Sequence, residues 1–168
     1  VPSQPEERRC TQRQDHGIGD TLDRRLIKLA EPALEGGTPV KLAVDIRNVN
    51  RTIGTMLSSV ISKKYGASGL PEDTVHITCK GSCGQSFGAF GAHGLTLEVE
   101  GDANDYFGKG LSGGKLILYP PKNASYVAET NIIAGNVALY GATQGEAYIR
   151  GLTGERFCVR NSGVSAVV

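Results

Sequence analysis

Tryptophan is absent from these 168 residues, methionine occurs once, histidine three times, and aromatic side chains make up only 6% of the chain. A free-standing repeat protein that binds sugars or other proteins would want an exposed aromatic stripe, and four phenylalanines in a mostly inward register do not supply one. Net charge is also missing. Eighteen Lys and Arg against 17 Asp and Glu leave +1, so no field attracts nucleic acid or an acidic membrane. Arg8, Arg9, Arg13, Arg24, Arg25 and Lys28 cluster near the N-terminus, but Glu6, Glu7, Asp15, Asp20 and Asp23 interleave with them as on a solvated surface. No apolar run approaches the roughly 18 residues of a membrane helix, and no signal-peptide core opens the chain. A cytoplasmic location is expected, with an organelle as the other option. Cys10, Cys79, Cys83 and Cys158 are irregularly spaced, so reduced thiols are expected and the sequons at Asn50 and Asn123 carry little meaning.

What is abundant is glycine, 23 of 168 residues, about double the usual share of roughly 7%. These glycines separate well-formed apolar runs such as Leu116-Ile117-Leu118-Tyr119, so they mark turns in a folded chain. Residues 1–19 are polar, contain Pro2 and Pro5, and predict a linker or docking arm. A lead-in spans 20–73. It comprises a helix over about 20–31 with Asp20 as N-cap, a strand at 40–46 with alternating polarity, and a second helix to Tyr65, capped by Asn50 or Thr52 and ended by Gly66.

From Thr74 every tenth residue is apolar: Ile77, Phe87, Leu97, Phe107, Ile117, Val127, Val137, Ala147, Phe157 and Val167. At twice that interval Cys79, Val99, Tyr119, Leu139 and Val159 follow two residues later, the i, i+2 pairing of one strand face. This register predicts a core built on Ile77, Leu97, Ile117, Val137 and Phe157. Gly81, Gly91, Gly101, Gly141 and Gly151 recur just after the strands, and Gly84, Gly88, Gly94, Gly110, Gly113 and Gly154 complete Gly-x-x-Gly steps, so all eleven are expected at structural turns. The architecture expected over 74–168 is all-β dominated: a parallel β-helix of about 20 residues per coil with two short strands in each. The chain begins with Val and stops at Val168 in mid-coil, which predicts a piece of something longer and self-association through the truncated strand edge.

The short motifs carry no chemistry on this reading. Gly108-Lys-Gly110-Leu-Ser-Gly113 matches G-x-G-x-x-G, but a strand-like segment follows where a helix N-terminus should face the pyrophosphate. Gly114-Lys115 is followed by Leu116, which excludes a P-loop. Cys79 and Cys83 have only His76 and His93 as nearby donors, too few for a metal or cluster site that would leave Cys79 in the core. His16 belongs to the polar arm. Glu98, Glu100, Asp102 and Asp105 form an acidic cluster, with Glu98 and Glu100 on the wet side of the inward Leu97 and Val99. No catalytic, cofactor-binding or metal-ligating residue is expected.

Three long stretches carry a resemblance: 81–90 (GSCGQSFGAF), 101–121 (GDANDYFGKGLSGGKLILYPP) and 135–163 (GNVALYGATQGEAYIRGLTGERFCVRNSG). With Arg47 to Met56 and Tyr65 to Asp73, they resemble the C-terminal glycine-repeat (GXGXG) domain of the large subunit of glutamate synthase, over roughly 15–168. Leu70-Pro-Glu-Asp73 and Gly54-Thr-Met56 are similar to the NAD(P)H-dependent type. The resemblance implies a right-handed parallel β-helix, within a parent enzyme that makes glutamate from glutamine and 2-oxoglutarate. It also implies that the cysteine nucleophile, FMN and the [3Fe–4S] cluster sit in other domains, with NAD(P)H as donor and FAD on a partner subunit or domain. The implied partners are the amidotransferase and FMN synthase domains and the small subunit. The alternative from another class is a free-standing β-helix protein resembling the glycine-repeat subunit of formylmethanofuran dehydrogenase.

Overall fold

The computed structural model describes residues 9–168. The expected polar arm lies partly outside the described residues, at 1–8. Three short helices come early: α1 (Leu22–Leu29), α2 (Glu31–Gly36) and α3 (Thr55–Tyr65). Eight strands make one sheet: β1 (Val40–Ile46), β2 (Val75–Cys83), β3 (Leu95–Ala103), β4 (Ser112–Tyr119), β5 (Ile132–Ala134), β6 (Gln144–Ile149), β7 (Leu152–Thr153) and β8 (Val164–Val167). The order is β1-β2-β3-β4-β6-β8, with β5 pairing to β3 and β7 off that path, and every strand pair is parallel.

The expectation of an all-β, right-handed parallel β-helix is corrected by this arrangement, which is an α/β fold on one parallel sheet with helices between its strands. The ten-step register counted two strands per repeat. Half of its positions lie outside the strands, Phe87, Phe107, Val137 and Phe157 of them in turns. The ladder also changes its offset from pair to pair: Leu97 pairs with Leu116, Leu116 with Ala147, and Ala147 with Ala166. A fixed interval cannot follow those changes.

The helices end where local chemistry ends them, though not at the caps expected. Asp20 closes a 3-10 turn at Ile18–Asp20, and Thr21 takes the N-cap of α1. Pro32 sits in the first turn of α2, where its missing N–H costs nothing. Neither Asn50 nor Thr52 caps α3. Its N-cap is Gly54, and the carboxylate of Asp23 reaches across from α1 to accept the N–H groups of Gly54 and Met56, each at 2.7 Å. Buried Leu26 of α1, Leu57 and Ile61 of α3, and Ile77, Leu97, Leu116 and Leu118 of the sheet share one core. Each such side chain contributes roughly 1.5–3 kcal/mol by leaving water.

Between strands the chain passes through turns that stack on one another. Positive φ falls at alternate residues in four of them: Ser86, Gly88 and Phe90; Tyr106, Gly108 and Gly110; Val137, Leu139 and Gly141; Arg156, Cys158 and Arg160. Alternation points successive N–H groups in opposite directions. Ser86 donates forward to Asp105 O at 2.9 Å and Tyr106 to Asn136 O at 2.9 Å, whereas Gly108 donates back to Phe87 O at 2.8 Å and Leu139 to Phe107 O at 2.7 Å. The rings of Phe87 and Phe107 stack beneath this ladder, 5.9 Å apart and 4° from parallel.

Candidate functional site

The loop with the dinucleotide-like lettering is one of these stacked turns. The N–H groups of Gly108, Lys109, Gly110, Leu111 and Ser112 already donate to the carbonyls of Phe87, Tyr106, Tyr140, Gly108 and Gly91, at 2.8–3.0 Å. The segment that follows is β4. A phosphate held here would have to displace structural hydrogen bonds without a helix N-terminus to receive it, so the loop does not fit a flavin or nicotinamide phosphate.

The two cysteines flank the inward face of β2, both buried. Burial pushes the Cys79 thiol up to about 12, with the charge of Asp23 adding to it, and raises Cys83 further in the same direction. Thiols held protonated are poor metal ligands. His93 donates Nδ1–H to Leu70 O at 2.7 Å, and His76 donates Nε2–H to Glu98 Oε2 at 2.8 Å. No group of three or more His, Cys, Asp or Glu among the described residues is placed to hold a metal ion. His16 is exposed.

The acidic cluster is divided among different tasks. Glu98 accepts from His76 on β2 and from the Tyr119 hydroxyl on β4 at 2.6 Å, which ties three strands together on the face opposite the core. Asp102 accepts from Ser82 at 2.7 Å, and Asp105 from the Asn136 N–H at 2.8 Å. The hydroxyl of Tyr119 holds the Glu98 carboxyl below its usual range, with His76 adding to the effect, and Glu98 in turn pushes Tyr119 up to about 12. A second network joins Lys115 to Glu72 and Asp73, with buried Thr96 donating to Asp73 at 2.6 Å. It borders a cleft of about 260 Å³ lined with His93, Gly113 and Glu146.

The pH response of the Glu98 network has a definite sign. Because folding lowers the Glu98 pKa, its contribution is present above the unfolded value and is lost as pH falls through the lower folded one. Tyr119 behaves oppositely: its contribution is complete below about pH 10 and lost as pH rises through about 12. The urea midpoint of the wild-type chain should therefore fall over that alkaline window more steeply than that of Tyr119→Phe, which should cost about 1 kcal/mol at neutral pH. Parallel curves would remove Tyr119 from the network.

Of the glycines expected at turns, Gly81, Gly101 and Gly113 lie instead inside β2, β3 and β4, where close neighbouring backbone crowds a Cβ; Gly81, Gly88, Gly94, Gly110, Gly113, Gly141 and Gly151 have positive φ. The others are defined by space: a Cβ at Gly84 would meet Asn48 O at 2.5 Å, at Gly91 the Leu111 side chain at 2.8 Å, at Gly101 the Gly81 carbonyl at 1.9 Å, and at Gly154 the Asn136 side chain at 2.5 Å. Ile77 and Leu97 are fully buried. Ile117, Val137 and Phe157 are half-buried: Ile117 lies between inward Leu116 and Leu118, and Val137 and Phe157 lie in turns. The register puts Tyr119 and Val159 on the inward face, whereas the Tyr119 hydroxyl reaches Glu98 on the face opposite the core and Val159 is exposed. Asp23 offered no local signal, since its partners lie 31 and 33 residues away.

A single parallel sheet with tight glycine contacts between strands, and polar side chains bridging them, defines a glycine-rich parallel-sheet domain. The chain belongs to the GXGXG motif family, whose pattern matches residues 23–168. It is 55% identical over 156 residues to a protein named glutamate synthase [NADH] from Schizosaccharomyces pombe, covering 93% of this chain and 7% of that protein. It is 51% identical to the glutamate synthase [NADPH] large chain of Bacillus subtilis, over 92% of this chain and 10% of that one. It is 45% identical to ferredoxin-dependent glutamate synthase 2 of Synechocystis, over 91% and 10%. The chain thus spans 7–10% of the length of these curated relatives.

Proposed function

We propose that this chain is the GXGXG domain of a glutamate synthase and acts there as a support that holds the catalytic domains in place, with no chemistry of its own. The observation that carries the reading is the use of polar candidate groups in structural bonding. His76, His93, Glu98 and the 108–112 N–H groups each hold neighbouring segments together. In this reading the turn glycines and the register residues Ile77, Leu97, Ile117, Val137 and Phe157 maintain that support.

The parent enzyme would combine glutamine, 2-oxoglutarate, NAD(P)H and a proton into two glutamates and NAD(P)+. FMN and a [3Fe–4S] cluster would lie in its other domains and FAD on a partner subunit or domain. The higher identity to relatives named for NADH and NADPH than to the one named for ferredoxin supports the nicotinamide type. The neighbours would be the amidotransferase and FMN synthase domains and the small subunit. No described helix is long and apolar enough to cross a membrane, and four free cysteines fit the reducing cytoplasm. The full-length protein, with its small subunit where there is one, should form two glutamates per nicotinamide oxidised. A preparation replete in flavin and iron that oxidises NADH and NADPH without forming glutamate would contradict the assignment.

A further inference from the structure

The stacked turns carry a partly exposed aromatic stripe. Phe90 and Tyr106 are 54% and 37% exposed, although both sit in the left-handed region, φ 56° and 62°, where a bulky side chain is strained. Their neighbours are fixed by the ladder. Phe90 N–H donates to Lys109 O at 2.8 Å, its ring lies over Gly110, and Lys109 Nζ lies 5.3 Å from the Tyr106 ring centroid. Gly110 N–H donates to Tyr140 O at 2.8 Å, and Gly141 N–H to Val159 O at 2.9 Å, next to Arg160. Tyr140 is half-buried, and Val159 and Arg160 are exposed. Lys109 and Arg160 form no ion pair with any described residue. Aromatic rings on a fixed backbone, flanked by cations that no carboxylate pairs, make a preorganised contact surface.

We propose that the stripe of Phe90, Tyr106, Lys109, Tyr140 and Arg160 is an interface that packs against an apolar, carboxylate-rimmed surface on another domain of the same polypeptide. The proposal rests on the reading of this chain as one domain of a much longer enzyme. Two observations select that occupant over a second copy or a separate protein. Relatives of this chain are about ten times its length, so most of the polypeptide lies outside it. The unpaired charges on the stripe are of one sign, which a second copy would repel and a carboxylate rim would neutralise.

Hydroxyl-radical footprinting of the full-length protein tests this. Each residue is compared with its own rate in urea-unfolded protein. Phe90 and Tyr106 should be slowed at least tenfold, and the slowing should survive hundredfold dilution. Lys109→Glu combined with Arg160→Glu should restore their reactivity, whereas Lys41→Glu on the exposed edge of β1 should not. A slowing of only two- to threefold, which the exposure in the free domain would give, overturns the proposal. So does protection lost on dilution, which would indicate a second copy, and so does protection unchanged by the charge reversal. Glutamate formation measured on the same sample separates the two readings: an active enzyme with reactive Phe90 sinks the interface alone, and an inactive, cofactor-loaded one with protected Phe90 sinks the functional assignment alone.

Discussion

Replacing Gly101 with alanine should destabilise the chain by about 3 kcal/mol, a large share of the 5–15 kcal/mol that holds an ordinary domain together. Gly81 and Gly101 face each other in the β2–β3 ladder. A Cβ on Gly101 would lie 1.9 Å from the Gly81 carbonyl oxygen, and one on Gly81 would lie 2.2 Å from Ile46 O on β1. Both obstacles are backbone atoms engaged in the sheet, so no side chain can rotate away to relieve them. The strands would have to part toward the C-terminal end of the ladder. Gly36→Ala is the control, since its new Cβ would meet only Thr38 Oγ1, at an ordinary 3.7 Å; it should change stability by less than about 0.5 kcal/mol. Urea titration of both variants checks this. A Gly101 variant within about 1 kcal/mol of wild type would mean that the strands are not as close as described.

Loss of the Asp23 carboxylate should be nearly as costly. Asp23→Ala leaves the N–H groups of Gly54 and Met56 without acceptors at the start of α3, one of them in a buried position. Stranding them should cost about 3 kcal/mol. Asp23→Asn keeps one acceptor oxygen and should cost less. Burial raises the Asp23 carboxyl above 3.8, against the lowering effect of its backbone hydrogen bonds. A raised acid contributes stability below its unfolded pKa and loses it as pH rises through the folded value, so Asp23 opposes Glu98 on the acid side. The Asn variant should lack that component. Equal pH profiles for wild type and Asp23→Asn would remove the linkage, and an Asp23→Ala variant of wild-type stability would remove the cap.

The sequence disclosed local matters more fully than assembly. β1 was legible because Val40 to Ile46 alternates. Gly66 was legible as a terminator because a residue at φ 65° there is best supplied by glycine. The sheet was not, because a ten-residue interval makes turns such as 86–90 look like strands: their apolar members, Phe87 and Phe107, point inward as strand residues would. The stacked turns did leave a trace in the residues themselves. Ser86-Phe-Gly-Ala-Phe90, Tyr106-Phe-Gly-Lys-Gly110, Val137-Ala-Leu-Tyr-Gly141 and Arg156-Phe-Cys-Val-Arg160 align, and glycine fills some of the alternate positions. That alignment puts Phe90 at the position of Gly110 and Gly141, an unusual place for a bulky ring. The aromatic stripe was invisible to residue counting because it needs only a few outward rings and no tryptophan. The bonding of His76, Glu98 and Tyr119 required knowing which strands are neighbours, which depends on the ladder and not on local pattern.

Turnover of the full-length, cofactor-loaded enzyme with His76→Gln, His93→Gln, Cys79→Ser or Cys83→Ser, normalised to folded protein, tests the central claim most directly. If this domain supports the catalytic domains without taking part in the chemistry, each variant should stay within about tenfold of wild type, ~1.4 kcal/mol of transition-state stabilisation. A folded variant slowed by more than about 1000-fold, roughly 4 kcal/mol, would contradict the account and place that residue in the reaction.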